Sequence, residues 1–127
     1  MATVLVAEND SDQREVLEDI IRNQGHSVVG VDNGQDATNE LNKRRYDLAI
    51  LDVHMPKKDG SVVMEEALRQ GLNVPMILIS AFASDAASRR LLLSGATLVL
   101  SKPFSLELLI ESLERVLTNP PVQKLAP

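Results

Sequence analysis

Five short apolar runs recur along the chain, at Thr3 to Ala7, Ser27 to Val31, Asp47 to Leu51, Pro75 to Ile79 and Ala96 to Leu100. Most are rich in Val, Ile and Leu and apolar at successive rather than alternate positions, the pattern of central strands covered on both faces of a parallel sheet. Segments of helical period lie between them. The last is the clearest, with Leu106, Leu109, Ile110, Leu113, Val116 and Leu117 stepping by three or four onto one face. The first places Val16, Leu17, Ile20 and Ile21 on a similar face, with Asp12 and Glu15 spaced as a capping box and Gly25 set to end the helix. Gln35 to Arg44, Ser61 to Gln70 and Asp85 to Ser94 are less regular. Within the last of these, Leu91-Leu92-Leu93 covers too much of a helix's circumference to be buried on one side.

Strands alternating with helices, joined by right-handed crossovers, predict an α/β fold. The best fit is a flavodoxin-like, doubly wound (βα)5 domain with a five-stranded parallel sheet of order 2-1-3-4-5. The length, 127 residues, suits one such domain over 1–118, followed by a short Pro-rich extension over 119–127 that cannot continue the last helix. Hydrophobic residues at 44% and charged residues at 24% remove compositional support for a disordered, collagen-like or coiled-coil chain. Thirteen Lys and Arg against eighteen Asp and Glu leave a net charge of −5, and no basic run exceeds Lys43-Arg44-Arg45. Direct nucleic-acid binding is therefore disfavoured. The absence of cysteine excludes disulfides and thiolate metal centres. With neither a secretory leader pattern nor a membrane-length apolar run, the expected location is cytoplasmic, without membrane insertion. No linker or effector segment follows Leu117, so no transcription-factor activity is expected within this chain.

The chemistry gathers where the strands end, the place where open α/β sheets bind ligands. The first strand runs into Glu8-Asn9-Asp10, the third into Asp52, the fourth into Ser80 and the fifth into Ser101-Lys102-Pro103. If the first, third, fourth and fifth strands are neighbours, Glu8, Asn9, Asp52, Ser80 and Lys102 converge. Carboxylates, an amide oxygen, a hydroxyl and an ammonium are the groups that hold a hard divalent cation and a phosphoryl group. Asp10 and Asp12 read as caps of the first helix, Met55-Pro56 and Asp59-Gly60 as loop-shaping residues, and His26, with no partner cluster, receives no role.

The segment Leu51-Asp52-Val53-His54-Met55-Pro56-Lys57-Lys58-Asp59-Gly60, followed by Ile79-Ser80-Ala81 and Ser101-Lys102-Pro103-Phe104, resembles the receiver (REC) domains of two-component response regulators, including the CheY-like single-domain type. The resemblance spans Thr3 to Leu117. It implies a response regulator of phosphorelay signal transduction, a phosphoprotein in which Asp52 is the phosphoacceptor and Ser80 and Lys102 complete the catalytic set. It also implies a magnesium ion held by Glu8, Asn9, Asp52 and the backbone carbonyl of His54. The implied donor is a histidine kinase or histidine phosphotransfer protein. Output would be altered binding to a downstream protein, or a homodimer through the face of the fourth helix, fifth strand and fifth helix, where Val99, Leu91, Leu92 and Leu93 lie. Such a domain is no enzyme beyond self-phosphorylation and autodephosphorylation.

Two departures from the family pattern qualify this. Asn9 stands where the second acid is usual, implying weaker magnesium binding. Val99 stands where an aromatic switch residue is frequent, so that readout is missing. These departures favour a phosphorylation-independent adaptor as an alternative. An aspartate-nucleophile phosphatase of the haloacid dehalogenase type also uses Asp, Ser and Lys on a parallel sheet, but its nucleophile lies early in an Asp-x-Asp motif, whereas Asp52 follows the third strand.

Overall fold

In the computed structural model, which describes residues 1–81 and 84–118, five strands alternate with five helices. They are β1 (Thr3–Ala7), α1 (Ser11–Asn23), β2 (Ser27–Val31), α2 (Gly34–Lys43), β3 (Leu48–Asp52), α3 (Gly60–Arg69), β4 (Met76–Ser80), α4 (Asp85–Ser94), β5 (Leu98–Ser101) and α5 (Leu106–Thr118). The strands pair in parallel in the order β2-β1-β3-β4-β5, as the alternation predicts. The expected extension, 119–127, lies outside the described residues.

The apolar runs are continuous because each central strand feeds two cores. Successive side chains point to opposite faces. Leu5, Ala49, Leu51, Met76 and Leu78 pack with Ala37 and Leu41 of α2 and Val63, Met64 and Ala67 of α3. On the other face Val4, Val6, Leu48, Ile50, Ile77 and Ile79 pack with Leu17 and Ile21 of α1 and Leu109, Leu113 and Val116 of α5. Every residue of β3 and β4 is buried.

Several expectations need correction. The apolar pattern reads most runs as central, but β2 and β5 lie at the edges, where the expected order 2-1-3-4-5 puts them: Ser27 and Gly30 of β2 are exposed, and only Leu100 of β5 is fully buried. An edge strand with one covered face can still read as apolar when helices overhang it. β3 and β4 begin and end one residue later than their apolar runs, because Asp52 and Ser80 remain in the ladder, paired with Ile79 and Ser101. Pro75 has no N–H to give, so β4 starts at Met76.

The cap of α1 is Asp10, not the Asp12–Glu15 box: Asp10 Oδ1 accepts from Gln13 N–H at 3.0 Å, while Asp12 sits in the first turn. Gly25 stands just past the helix end, as expected. Val16, expected inward, is 57% exposed, and Leu106 of α5 is 52% exposed. In α4 no side chain is fully buried. Leu91 packs partly against the α2–α3 core, as does Val99, whereas Leu92 and Leu93 are exposed.

Candidate functional site

The parallel order sets the C-terminal ends of β1, β3, β4 and β5 side by side, and each end carries a polar residue. Glu8 follows β1, Asp52 and Ser80 close β3 and β4, and Lys102 follows β5. Glu8, Asp52 and Ser80 are buried. Burying two carboxylates in one place is costly unless a cation compensates. Lys102 does so: its Nζ lies 2.8 Å from Asp52 Oδ2 and 3.0 Å from Glu8 Oε1. The lysine is delivered to this position by Lys102 N–H donating to Ser80 O at 2.9 Å, which carries the β4–β5 pairing one step past the strand.

The remaining carboxylate oxygens are held by backbone. Asp52 Oδ1 accepts from His54 N–H at 3.0 Å, and Glu8 Oε2 accepts from Asp10 N–H at 3.1 Å. Asp52 is further fixed by the close start of α3. A Cβ on Gly60 would come within 2.3 Å of the Asp52 carbonyl oxygen, so only glycine lets α3 begin there.

Electrostatics follow from this packing. Burial, reinforced by the neighbouring Asp52, pushes the Glu8 carboxyl above its ordinary value of 4.5 against the pull of its hydrogen bonds to Asp10 N–H and Lys102. Burial acts to lower Lys102, but its bonds to Asp52 and Glu8 outweigh it and raise the ammonium above 10.5. Two carboxylates and one ammonium leave the cluster one negative charge in excess. The available donors are all oxygen, and this charge and donor type suit a hard divalent cation.

The sequence-derived residues divide into groups. Glu8, Asp52 and Lys102 meet directly, and Ser80 closes the strand between Asp52 and Lys102 on the same edge. Asn9 lies exposed next to buried Glu8, and His54 is exposed with its N–H turned to Asp52. Among the described residues no group of three or more His, Asp or Glu is arranged to hold a metal, and Asn9 adds an amide rather than a third acid beside Glu8 and Asp52. Ser80 is not the cap of α4; Ser84 is, accepting from Ala87 N–H at 3.1 Å. Of the suggested docking residues, Leu92 and Leu93 face outward, while Leu91 and Val99 are half-buried.

Two features went unread in the sequence. Arg14 donates from Nη1 to the Glu8 carbonyl oxygen at 2.9 Å, bracing the turn after β1 from the first turns of α1; a cation six residues beyond the acid was the available signal. A groove of about 460 Å³ opens from Glu8 and Lys102 between α1 and α5, lined by Val16, Ile20, Phe104 and Leu109 among others.

Comparison with known proteins agrees with this geometry. The family model described as the response regulator receiver domain matches residues 4–114. The probable C4-dicarboxylate response regulator DctR of Bacillus subtilis is 36% identical over 114 residues, covering 88% of this chain and 50% of that protein. The transcriptional regulatory protein PdtaR of Mycobacterium tuberculosis is 33% identical over 112 residues, covering 87% and 54%. The chain thus spans about half the length of these curated relatives. Among solved structures, the receiver domain of Francisella response regulator 1452 superposes with a TM-score of 0.90 at 28% identity, covering 93% of this chain and 98% of that one. Receiver domains are signalling modules rather than a family of catalysts, which sets aside the phosphatase alternative. No helix among the described residues is long and apolar enough to cross a membrane. Its fold, its acid–lysine cluster and its match over 4–114 together make this chain a member of the response regulator receiver domain family.

Proposed function

We propose that this domain accepts a phosphoryl group on Asp52 from a phosphohistidine of a histidine kinase or phosphotransfer protein and signals through altered protein–protein contacts. The observation that carries this reading is the buried Asp52 carboxylate at a strand terminus, with one oxygen on a backbone N–H and the other on Lys102.

A carboxylate attacking phosphorus must approach an anion, so charge neutralisation and positioning make up most of the catalysis. A bound magnesium ion supplies that neutralisation, and Glu8, Asn9, Asp52 and the His54 carbonyl are the groups that would hold it. His54 N–H orients the Asp52 carboxylate toward the donor. An Asp52 oxygen forms the bond to phosphorus as the phosphorus–nitrogen bond breaks, and the imidazole departs with its electron pair and takes up a proton from solvent. Lys102 exchanges its bond to Asp52 for one to a phosphoryl oxygen. Ser80 donates its hydroxyl to another, drawing the end of β4 inward. The loop that follows includes Phe82 and Ala83, outside the described residues. Beyond it α4 buries no side chain fully, so a small pull can repack it. Output then passes through the exposed Leu92 and Leu93, to a downstream protein or a second copy.

The test is mass spectrometry of the intact protein after incubation with a small phosphodonor and magnesium. One phosphoryl group is expected on the native chain and none on Asp52→Asn. Phosphorylation of both, or of neither, would overturn the assignment, the second result favouring the adaptor reading that Asn9 encourages.

A further inference from the structure

We infer that Lys58 is a positioning residue for Asp52, acting through the loop between β3 and α3; this rests on the acceptor role proposed above. Lys58 lies six residues past Asp52, and its side chain is only 15% exposed. Its Nζ donates to Glu66 Oε1 of α3 at 2.6 Å and to Thr38 Oγ1 of α2 at 3.0 Å. One ammonium therefore adds a polar tie from the loop to both helices, beside the apolar contact that buried Met55 makes with the α2–α3 core. An ammonium this enclosed is stable only with such partners, and two of its three donors are committed to them.

The backbone around Lys58 shows what is being held. Pro56 O accepts from Lys58 N–H at 2.8 Å and from Gly34 N–H at 3.3 Å, which seats the first turn of α2 on the loop. A Cβ on Gly34 would come within 2.0 Å of Lys58 O, so this contact tolerates no side chain. Next to it Lys57 adopts φ of +71°, a left-handed conformation that a lysine takes only when its surroundings enforce it. At the other end of the same loop, Gly60 N–H donates to Val53 O at 2.9 Å. Between the two fixed ends lies His54, whose N–H holds Asp52 Oδ1. Releasing Lys58 frees the end nearer α2, relaxes Lys57 and loosens the His54 amide. The Asp52 carboxylate then loses the fixed orientation that turns its other oxygen to Lys102.

The test compares the native chain with Lys58→Met, which keeps the apolar stem, and Lys58→Arg, which keeps the cation. Two quantities are read: the exchange rate of the His54 amide hydrogen in the metal-free protein, and the rate of Asp52 phosphorylation from a small donor. Lys58→Met should raise the first and lower the second by about tenfold each, less than the hundredfold that an ångström of misplacement costs, and Lys58→Arg should restore both. A merely structural lysine would lower the unfolding temperature without changing His54 exchange under native conditions, and that result overturns the inference. Should Lys58→Met fail to fold, the near-isosteric Thr38→Val removes one anchor alone and must still speed His54 exchange. If the native chain takes up no phosphoryl group, the proposed function fails, while the exchange measurement still decides the role of Lys58.

Discussion

Replacing Asn9 with Asp restores a charge at the mouth of the Glu8–Asp52 pair, and its effect on magnesium can be worked from the surroundings. Neither oxygen of Glu8 is idle: Oε1 holds Lys102 and Oε2 holds the Asp10 amide, so Glu8 cannot swing out to compensate without giving up bonds. Asp10 is likewise committed as the α1 cap. Unit charges about 4 Å apart attract by about 1 kcal/mol in bulk water and about 4 kcal/mol at an effective dielectric of about 20, doubled for a divalent ion. Asn9 is exposed, which places the gain toward the watery end of that range, and desolvation removes part of it. A net gain of about 1.4–2.8 kcal/mol corresponds to one or two powers of ten in affinity. Calorimetric titration of both proteins with magnesium should show the dissociation constant of Asn9→Asp lower by that factor. Without the metal the same substitution adds a like charge beside two buried acids, so Asn9→Asp should melt earlier than the native chain, and magnesium should reverse the order. Equal or weaker affinity in Asn9→Asp would refute the reasoning and mean that position 9 does not face the ion.

Lys102→Met leaves Glu8 and Asp52 buried without their cation, and urea denaturation at neutral pH should show a loss toward the lower end of about 3–5 kcal/mol. Glu8 in the folded protein binds its proton more tightly than in the unfolded chain, so its contribution to stability falls as pH rises from 4.5 through its raised value. Acidification through that window should therefore shrink the Lys102→Met deficit; a deficit that stays constant would show that Glu8 is not the group left uncompensated. Tyr46 donates its hydroxyl to Glu40 at 2.6 Å and thereby lowers the Glu40 carboxyl, so Tyr46→Phe should cost about 1.5–3 kcal/mol at neutral pH. The contribution of Glu40 is present above 4.5 and is lost as pH falls through its depressed value, so the gap between the two proteins should narrow in acid denaturation series. Leu93, 81% exposed, should be replaceable by Lys with no loss of folding or phosphorylation but with weakened self-association or partner binding by sedimentation; unchanged association would move the docking face away from α4.

Much of this was legible because side-chain chemistry and chain order coincide at a parallel sheet's C-terminal edge. Asp52, Ser80 and Lys102 each follow an apolar run, and hydropathy alone locates the end of each run. The same signal misplaced the ends of β3 and β4, since hydropathy tracks side-chain burial while Asp52 and Ser80 still share ladder hydrogen bonds. Hydropathy by itself did not separate edge from central strands: Leu98–Ser101 is nearly as apolar as Met76–Ser80, and it is the expected order 2-1-3-4-5 that sets β5 at the margin. Asp10 is among the expected caps of α1 and is the one that serves, but Asp12 reads as a cap too because the two are chemically identical, and only the backbone conformation and the bond from Gln13 N–H separate them. Lys58 drew no reading from the sequence, because its partners, Thr38 and Glu66, lie 20 and 8 residues away in the chain. Contacts of that range leave no local pattern.

The division of the interior by the sheet has an evolutionary consequence. Met64 and Leu113 are both fully buried, yet they belong to separate clusters with a layer of strand backbone between them. Substitutions at distant sites without shared partners have nearly additive effects. A lineage can therefore remodel the α1–α5 side without compensating changes under α2 and α3, and the reverse holds as well. Each side drifts on its own clock, while Leu48–Asp52, buried on both faces, is the stretch where a single change is felt by both histories at once.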